Sequence, residues 1–197
     1  DEAGGWTRDT YATMQQRVRQ LTGAITGLGL AHQSRIASLA LNTRRHMELY
    51  YGVTRAGHIL HTINPRFSEE QIRYTVEQAE DAVIFFDPAF SQHAELIAKA
   101  CPSVRTFVAL CPAEQLPDLA LPGLTDYERF ITEAAPSDGP ARLSERDGAF
   151  LCYTSGTTGN PKGVLYSHRS CMIHALAASA PGNFGIAPGD VVLPCAS

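Results

Sequence analysis

Lysine is nearly missing from this chain of 197 residues: fourteen of its sixteen basic residues are Arg, leaving only Lys99 and Lys162. Charge as a whole is sparse, at 18% against the roughly 25% of ordinary soluble domains, which points to extra buried surface or a missing partner. Twenty acidic residues outnumber the basic ones and the net charge is −4, the reverse of the clustered basic surplus of a nucleic-acid binder. No uncharged apolar run approaches the ~20 residues that span a bilayer, which excludes a transmembrane helix. Cysteine is present five times but never as C-x-x-C, so neither a disulfide framework nor a zinc site is expected. Reduced thiols and a cytoplasmic location follow. The seven histidines contain no H-E-x-x-H, and His58 and His61, three apart without an accompanying carboxylate, read as packed or surface residues. The acidic start Asp1-Glu2-Ala3-Gly4-Gly5 has no Met and reads as a cut or processed end rather than a signal peptide.

What is present suits a folded α/β domain. Apolar residues make up 44%, and a chain of this length can bury roughly 70% of its unfolded surface without staples. Tyr11, Met14, Val18, Leu21, Ile25 and Leu28 step by three or four along one helix face, with Asp9 or Thr10 as its cap and Gly29 at its end. Gln15, Arg17 and Arg19 form the opposite, solvated face. A strand at Ile36 to Leu41, a helix from Thr43 to Ala56 ending at Gly57, and a strand at Ile59 to Ile63 follow. Ser68 and Gln71 make a capping box for a helix carrying Ile72, Val76 and Ala79. Ala82 to Phe86 and Arg105 to Leu110 read as strands around a helix at Ser91 to Ala100. Continuously apolar strands alternating with helices predict a parallel-rich sheet flanked by helices on both faces. Prolines mark Cys111 to Gly123 as a surface excursion. Thr125 and Glu128 box a short helix through Ile131, and Ala134 to Ser144 reads as a mobile loop. Strands at Ala149 to Tyr153 and Val164 to Tyr166, a helix capped by Ser167, and a strand begun at Asp190 to Leu193 complete the reading. A chain ending inside a sheet is expected to be part of a longer polypeptide.

The chemistry concentrates in the loop Thr154-Ser155-Gly156-Thr157-Thr158-Gly159-Asn160-Pro161-Lys162-Gly163. Its glycines admit positive φ and close backbone approach, and its hydroxyls can each donate to a phosphate oxygen. Lys162 adds a full charge, and successive amides can curl into an anion nest. A plain hairpin turn rarely needs so long a loop. G-x-x-x-x-G-K-[ST] fails because Pro161 precedes Lys162 and Gly163 follows it. G-x-G-x-x-G fails at Gly27-Leu28-Gly29, where His32 stands in the last position. Ser155 has no G-x-S-x-G setting. A polyphosphate cradle remains.

This loop closely resembles the signature T-S-G-T-T-G-x-P-K-G of the adenylate-forming, AMP-binding superfamily, which includes acyl-CoA synthetases, luciferases and peptide-synthetase adenylation domains. Trp6-Thr7, Ile36 to Asn42 and Asn64-Pro65-Arg66 resemble further family segments. Tyr166-Ser167-His168-Arg169 and Val191-Leu193-Pro194 resemble the fatty acyl-CoA ligase branch. The resemblance implies that residues 1–197 are a partial N-terminal domain of a fatty acyl-CoA synthetase, with no C-terminal domain and little activity alone. It implies ATP, Mg²⁺ and coenzyme A as co-substrates and cofactors, and a fatty acid or other carboxylate as substrate. By position, Thr154, Ser155, Gly156, Thr157, Thr158, Gly159, Lys162 and Gly163 would bind ATP phosphates, with Thr154 also helping to hold Mg²⁺. A complete catalytic set is not expected in this stretch. His168 is open to two roles, orienting the loop or capping its helix. The alternatives are an aryl-CoA ligase, a peptide-synthetase adenylation domain, or a non-catalytic nucleotide-binding module; a homodimer through the N-terminal region fits several of them.

Overall fold

The computed structural model describes residues 8–140, 143–154 and 159–192. Helix α1 (Tyr11–Gly27) starts where the Thr10 hydroxyl accepts the Thr13 amide at 3.1 Å. It ends as expected, with Gly29 in the left-handed region at φ +64°. Strand β1 (Arg35–Leu39), helix α2 (Arg44–Arg55), strand β2 (Ile59–Thr62) and helix α3 (Glu69–Ala79) follow. The Ser68–Gln71 capping box at the start of α3 has both of its hydrogen bonds. Next come β3 (Val83–Phe86), α4 (Ser91–Ala100), β4 (Thr106–Ala109), the two-residue β5 (Thr125–Asp126) and α5 (Tyr127–Thr132). The hairpin β6 (Gly148–Thr154) and β7 (Lys162–Ser167) leads into α6 (His168–Ser179). No helix among the described residues is long and apolar enough to cross a membrane.

The seven strands form one sheet in the order β5-β4-β3-β1-β2-β6-β7, every neighbouring pair parallel except β6–β7. The chain steps from β1 outward to β2, then crosses back to β3 on the other side of β1. With one crossover hand, that reversal sends successive helices to opposite faces. Accordingly α1, α2 and α5 bury Leu21, Ile25, Leu49, Val53, Tyr127 and Ile131 against one face. Helices α3 and α4 bury Ile72, Val76, Ala94 and Ile97 against the other. Strand residues alternate between the two cores: Val83 and Phe85 join the first, Ile84 and Phe86 the second. Double burial explains why these strands read as unbroken apolar runs. The expectation of two covered faces holds for the central strands but not for the edge, where Val164, Leu165 and Tyr166 of β7 are exposed.

Several local expectations are corrected. Arg17 does not lie on a solvated face. Its Nε donates to Glu48 at 2.7 Å and its two terminal nitrogens donate to Glu128 at 2.8 and 3.1 Å, tying α1 to α2 and α5. Helix α5 is capped by Asp126, whose carboxylate accepts the Arg129 amide at 2.9 Å, and not by Thr125. Glu128 is occupied instead by Arg17 and Arg45. Residues 134–140 of the segment read as a mobile loop are seated on α1 and α2: the Ser137 amide donates to the Arg19 carbonyl at 2.9 Å, and Asp138 pairs with Arg19 and Arg55. A Cβ at Gly23 would overlap the Ala135 carbonyl oxygen, which shows how closely the two approach. Asp190 to Val192 do not form a strand among the described residues, and Leu193 lies outside them. His61 does have a carboxylate partner, Asp81, twenty positions away in sequence. The described cysteines, Cys101, Cys111, Cys152 and Cys171, are free thiols, as expected.

Candidate functional site

Parallel strands deliver their carboxyl ends to one edge of a sheet, and ligands of open α/β folds bind in the crevice there. Strands β1 and β2 send their outgoing helices to opposite faces, which makes their carboxyl ends the switch point of this sheet. Strand β6 pairs in parallel with β2 through Leu60↔Phe150, His61↔Leu151 and Thr62↔Cys152. Its last residue, Thr154, therefore emerges at the same edge as the end of β2. The Thr62 hydroxyl and the Cys152 thiol lie 3.4 Å apart across that pairing.

The chain turns back through the glycine-rich loop and returns as β7. Tyr153 faces Gly163 and Thr154 faces Lys162, the last pair of the hairpin. Thr154, Gly159, Lys162 and Gly163 are all exposed, while Pro161 is buried beneath them. Gly159 has φ +102°, a conformation that L side chains rarely adopt, and a Cβ there would meet nothing within 4 Å. The stretch thus opens to solvent at both of its described ends. Lys162 enters no ion pair among the described residues, so its charge is available to an anion. Ser155, Gly156, Thr157 and Thr158, also expected to bind phosphate, lie outside the described residues. No cluster of three His, Cys, Asp or Glu side chains able to hold a metal is found among the described residues.

Beneath the hairpin sits a group that sequence spacing did not reveal. The Nδ1 of His61 lies 2.7 Å from Asp81 Oδ2, both side chains fully buried. The His61 ring meets the Tyr153 ring at 5.0 Å between centroids, tilted by 52°. A Cβ at Gly163 would stand 3.2 Å from Tyr153 Cζ, so glycine lets the ring lie across the partner strand. Burial, with the Asp81 charge nearby, pushes the Tyr153 phenol up to about 12. Burial likewise pushes the Asp81 carboxyl upward, against the pull of His61 and Arg35. The register β2–β6 brings His61 and Tyr153 together, and no local sequence pattern encodes that register.

His168 does not cap α6 with its side chain, and Ser155 to Thr158 of the loop it was expected to orient lie outside the described residues. Ser167 caps α6, its hydroxyl accepting the Ser170 amide at 3.2 Å, and the His168 amide donates to the Asp147 carbonyl at 3.0 Å. The His168 ring lines a cleft of about 460 Å³ with Tyr11, Val18, Tyr51, Arg55 and Leu143, between α1 and α2. Among the described residues, none of the glycine-rich loop lines that cleft. Helix α6 buries none of its residues and exposes Met172, Ile173 and Leu176.

The family described as AMP-binding enzyme matches residues 2–197. The 3-methylmercaptopropionyl-CoA ligase of Ruegeria pomeroyi is 44% identical over 97% of this chain and 35% of its own length. The medium-chain-fatty-acid–CoA ligase of Ectopseudomonas oleovorans is 38% identical over 98% of this chain and 36% of its own length. The chain thus spans about a third of the curated relatives it matches. Among solved structures, the anthranilate CoA ligase AuaEII in complex with anthranoyl-AMP superposes with a TM-score of 0.76 at 22% identity. It covers 85% of this chain and 31% of that enzyme, and shows the shared fold.

Proposed function

Because this chain belongs to the AMP-binding enzyme family, we propose that it supplies the phosphate grip of an ATP-dependent, AMP-forming acid–thiol ligase, as the N-terminal part of that enzyme. One observation carries the reading. A loop of hydroxyls and glycines leaves the carboxyl edge of a parallel sheet between Thr154 and Lys162, which pair in register and are both exposed.

In the first half-reaction a carboxylate oxygen attacks the α-phosphorus of ATP. The bond to the bridging oxygen of the β-phosphate breaks, pyrophosphate leaves, and acyl-AMP remains. In the second, the coenzyme A thiolate attacks the acyl carbon and AMP departs with its oxygen. Negative charge moves onto the leaving pyrophosphate, so fixed donors aimed at its oxygens favour the transition state. Ser155, Thr157 and Thr158 supply hydroxyl donors, Gly156, Gly159 and Gly163 allow close approach of backbone amides, and Lys162 supplies the cation. The exposed Thr154 hydroxyl is a hard oxygen donor of the kind Mg²⁺ accepts. Mg²⁺ bound there would neutralise phosphate charge. An aliphatic acid is the favoured substrate, since the 44% and 38% identical relatives described above are named for aliphatic acyl groups. A cytoplasmic setting suits the free thiols, and pairing of two copies through the N-terminal region belongs to the same reading.

The test is ATP–pyrophosphate exchange by the complete polypeptide with a panel of aliphatic and aromatic acids. Exchange is expected with medium-chain acids. Lys162→Ala is expected to raise the KM for ATP by about ten- to a hundredfold, the equivalent of the roughly 1.5–3 kcal/mol of a hydrogen bond to a charged group. Unchanged kinetics in that variant would remove the loop from the mechanism.

A further inference from the structure

We infer that His61, held by Asp81, is a positioning residue for the phosphate loop and acts on it through Tyr153. The inference rests on the reading of the loop as the triphosphate grip, and it concerns residues outside that loop.

The starting point is an imbalance in the core. His61 and Asp81 are both fully buried, yet each satisfies only one side of itself. Their shared contact leaves His61 Nε2 and Asp81 Oδ1 buried with no hydrogen-bond partner among the described residues. Buried polar atoms left in this state cost stability, and an apolar pair of the same volume commonly gives a core at least as stable. Packing alone therefore gives no reason for this pair.

Its place in the fold does. Asp81 stands just before β3, His61 on β2 and Tyr153 on β6, so the contacts run across the sheet towards the hairpin. Asp81 fixes the rotation of the imidazole through Nδ1, and the imidazole supports the Tyr153 ring from below. The Tyr153 ring in turn lies over Gly163, the residue opposite it on β7. The very next pair, Thr154 with Lys162, forms the two stems of the loop. One column, Asp81–His61–Tyr153–Gly163, thus touches both arms that carry the loop. A turn of the Tyr153 ring shifts the stems against each other and moves the Lys162 ammonium relative to the Thr154 hydroxyl.

The consequence is selective. The loop grips the β- and γ-phosphates, so loosening its stems weakens binding of ATP and leaves binding of AMP, which lacks those phosphates, almost untouched. A defect that merely destabilised the fold would weaken both nucleotides alike.

Calorimetric titration of the complete polypeptide with MgATP and with AMP, accompanied by thermal melts, tests this. His61→Asn keeps a donor to Asp81 and removes the ring; Tyr153→Leu removes the supported ring. Each is expected to weaken MgATP about five- to tenfold, a part of the roughly hundredfold that an ångström of misplacement can cost, with AMP unchanged within about twofold. The double variant is expected to be no weaker than either single one, because the two act in series. Asp81→Asn, which keeps shape and one hydrogen bond, carries the same selective loss in a milder form and serves if His61→Asn does not fold. Equal losses for ATP and AMP, additive effects in the double variant, or wild-type ATP affinity in folded His61→Asn and Asp81→Asn would overturn the inference while sparing the loop. A wild-type polypeptide that binds AMP but gains nothing from the two further phosphates would overturn the reading of the loop itself, and the inference with it.

Discussion

Glu48 is fully buried, and three elements converge on its carboxylate. Arg17 of α1 donates at 2.7 Å, the Tyr127 hydroxyl of α5 donates at 2.7 Å, and Arg44 from its own helix stands 3.5 Å away. Burial lowers the basicity of the Arg17 guanidinium, but its hydrogen bonds to Glu128 and Glu48 more than offset this and it stays charged. Removing one member of such a group leaves a buried charge without compensation, which typically costs about 3–5 kcal/mol. Arg17→Ala is therefore expected to lower Tm by roughly 6–20 °C for a chain of this size, read by calorimetry. A shift below a few degrees would show that water replaces the guanidinium. Glu128 gives a pH signature. Burial pushes its carboxyl up, but Arg17 and Arg45 pull it further down, so it ends below the ordinary value. A lowered folded pKa stabilises above the unfolded value of about 4.3 and loses that contribution as pH falls through the folded value. The stability difference between wild type and Glu128→Gln is expected to shrink on acidification from pH 6 to pH 3; a constant difference would contradict the assignment. None of this was legible in the sequence. Arg17 sits among polar neighbours on α1, and Glu128 joins it from 111 residues away.

At the scale of elements, the sequence was far more informative. The α3 capping box and the glycine endings after α1 and α2 rest on contacts within a few residues, the strands β1 to β4 show as unbroken apolar runs, and all of them form as expected. The start of α5 was misplaced by one residue because Thr125 and Asp126 are both good caps, and pairing of β5 with β4 decided between them. The strand expected from Asp190 pairs with no strand among the described residues, and an apolar run becomes a strand only with a neighbour. Gly52 illustrates a constraint that only packing reveals. A Cβ there would stand 2.7 Å from Leu21 Cγ, so α1 and α2 approach as closely as they do because residue 52 has no side chain. Gly52→Ala is expected to cost about 1–3 kcal/mol by overpacking, although alanine is the better helix former. Equal or higher stability in urea titration would show that Leu21 has room to move.

For the whole molecule, the sheet order places the chemistry. Reversal of direction at β1 and β2 makes their carboxyl ends the switch point of the sheet, and the parallel pairing of β6 with β2 brings the glycine-rich hairpin to the same edge. Half of that site was readable beforehand, because Thr154, Gly159, Lys162 and Gly163 belong to one contiguous motif. The supporting half was not, because Asp81, His61 and Tyr153 come from three strand regions and meet only through register. The exposed apolar surface of β7 and α6 fits the low charge content read at the outset. The β6–β7 hairpin is expected to take the phosphates of ATP. Hydrogen–deuterium exchange on the complete polypeptide, with and without MgATP, tests it most directly. Peptides covering residues 150–167 are expected to gain protection with MgATP, far less with AMP, and little in Lys162→Ala at the same nucleotide concentration. Protection by MgATP elsewhere in the protein, with exchange across this hairpin unchanged, would contradict the claim.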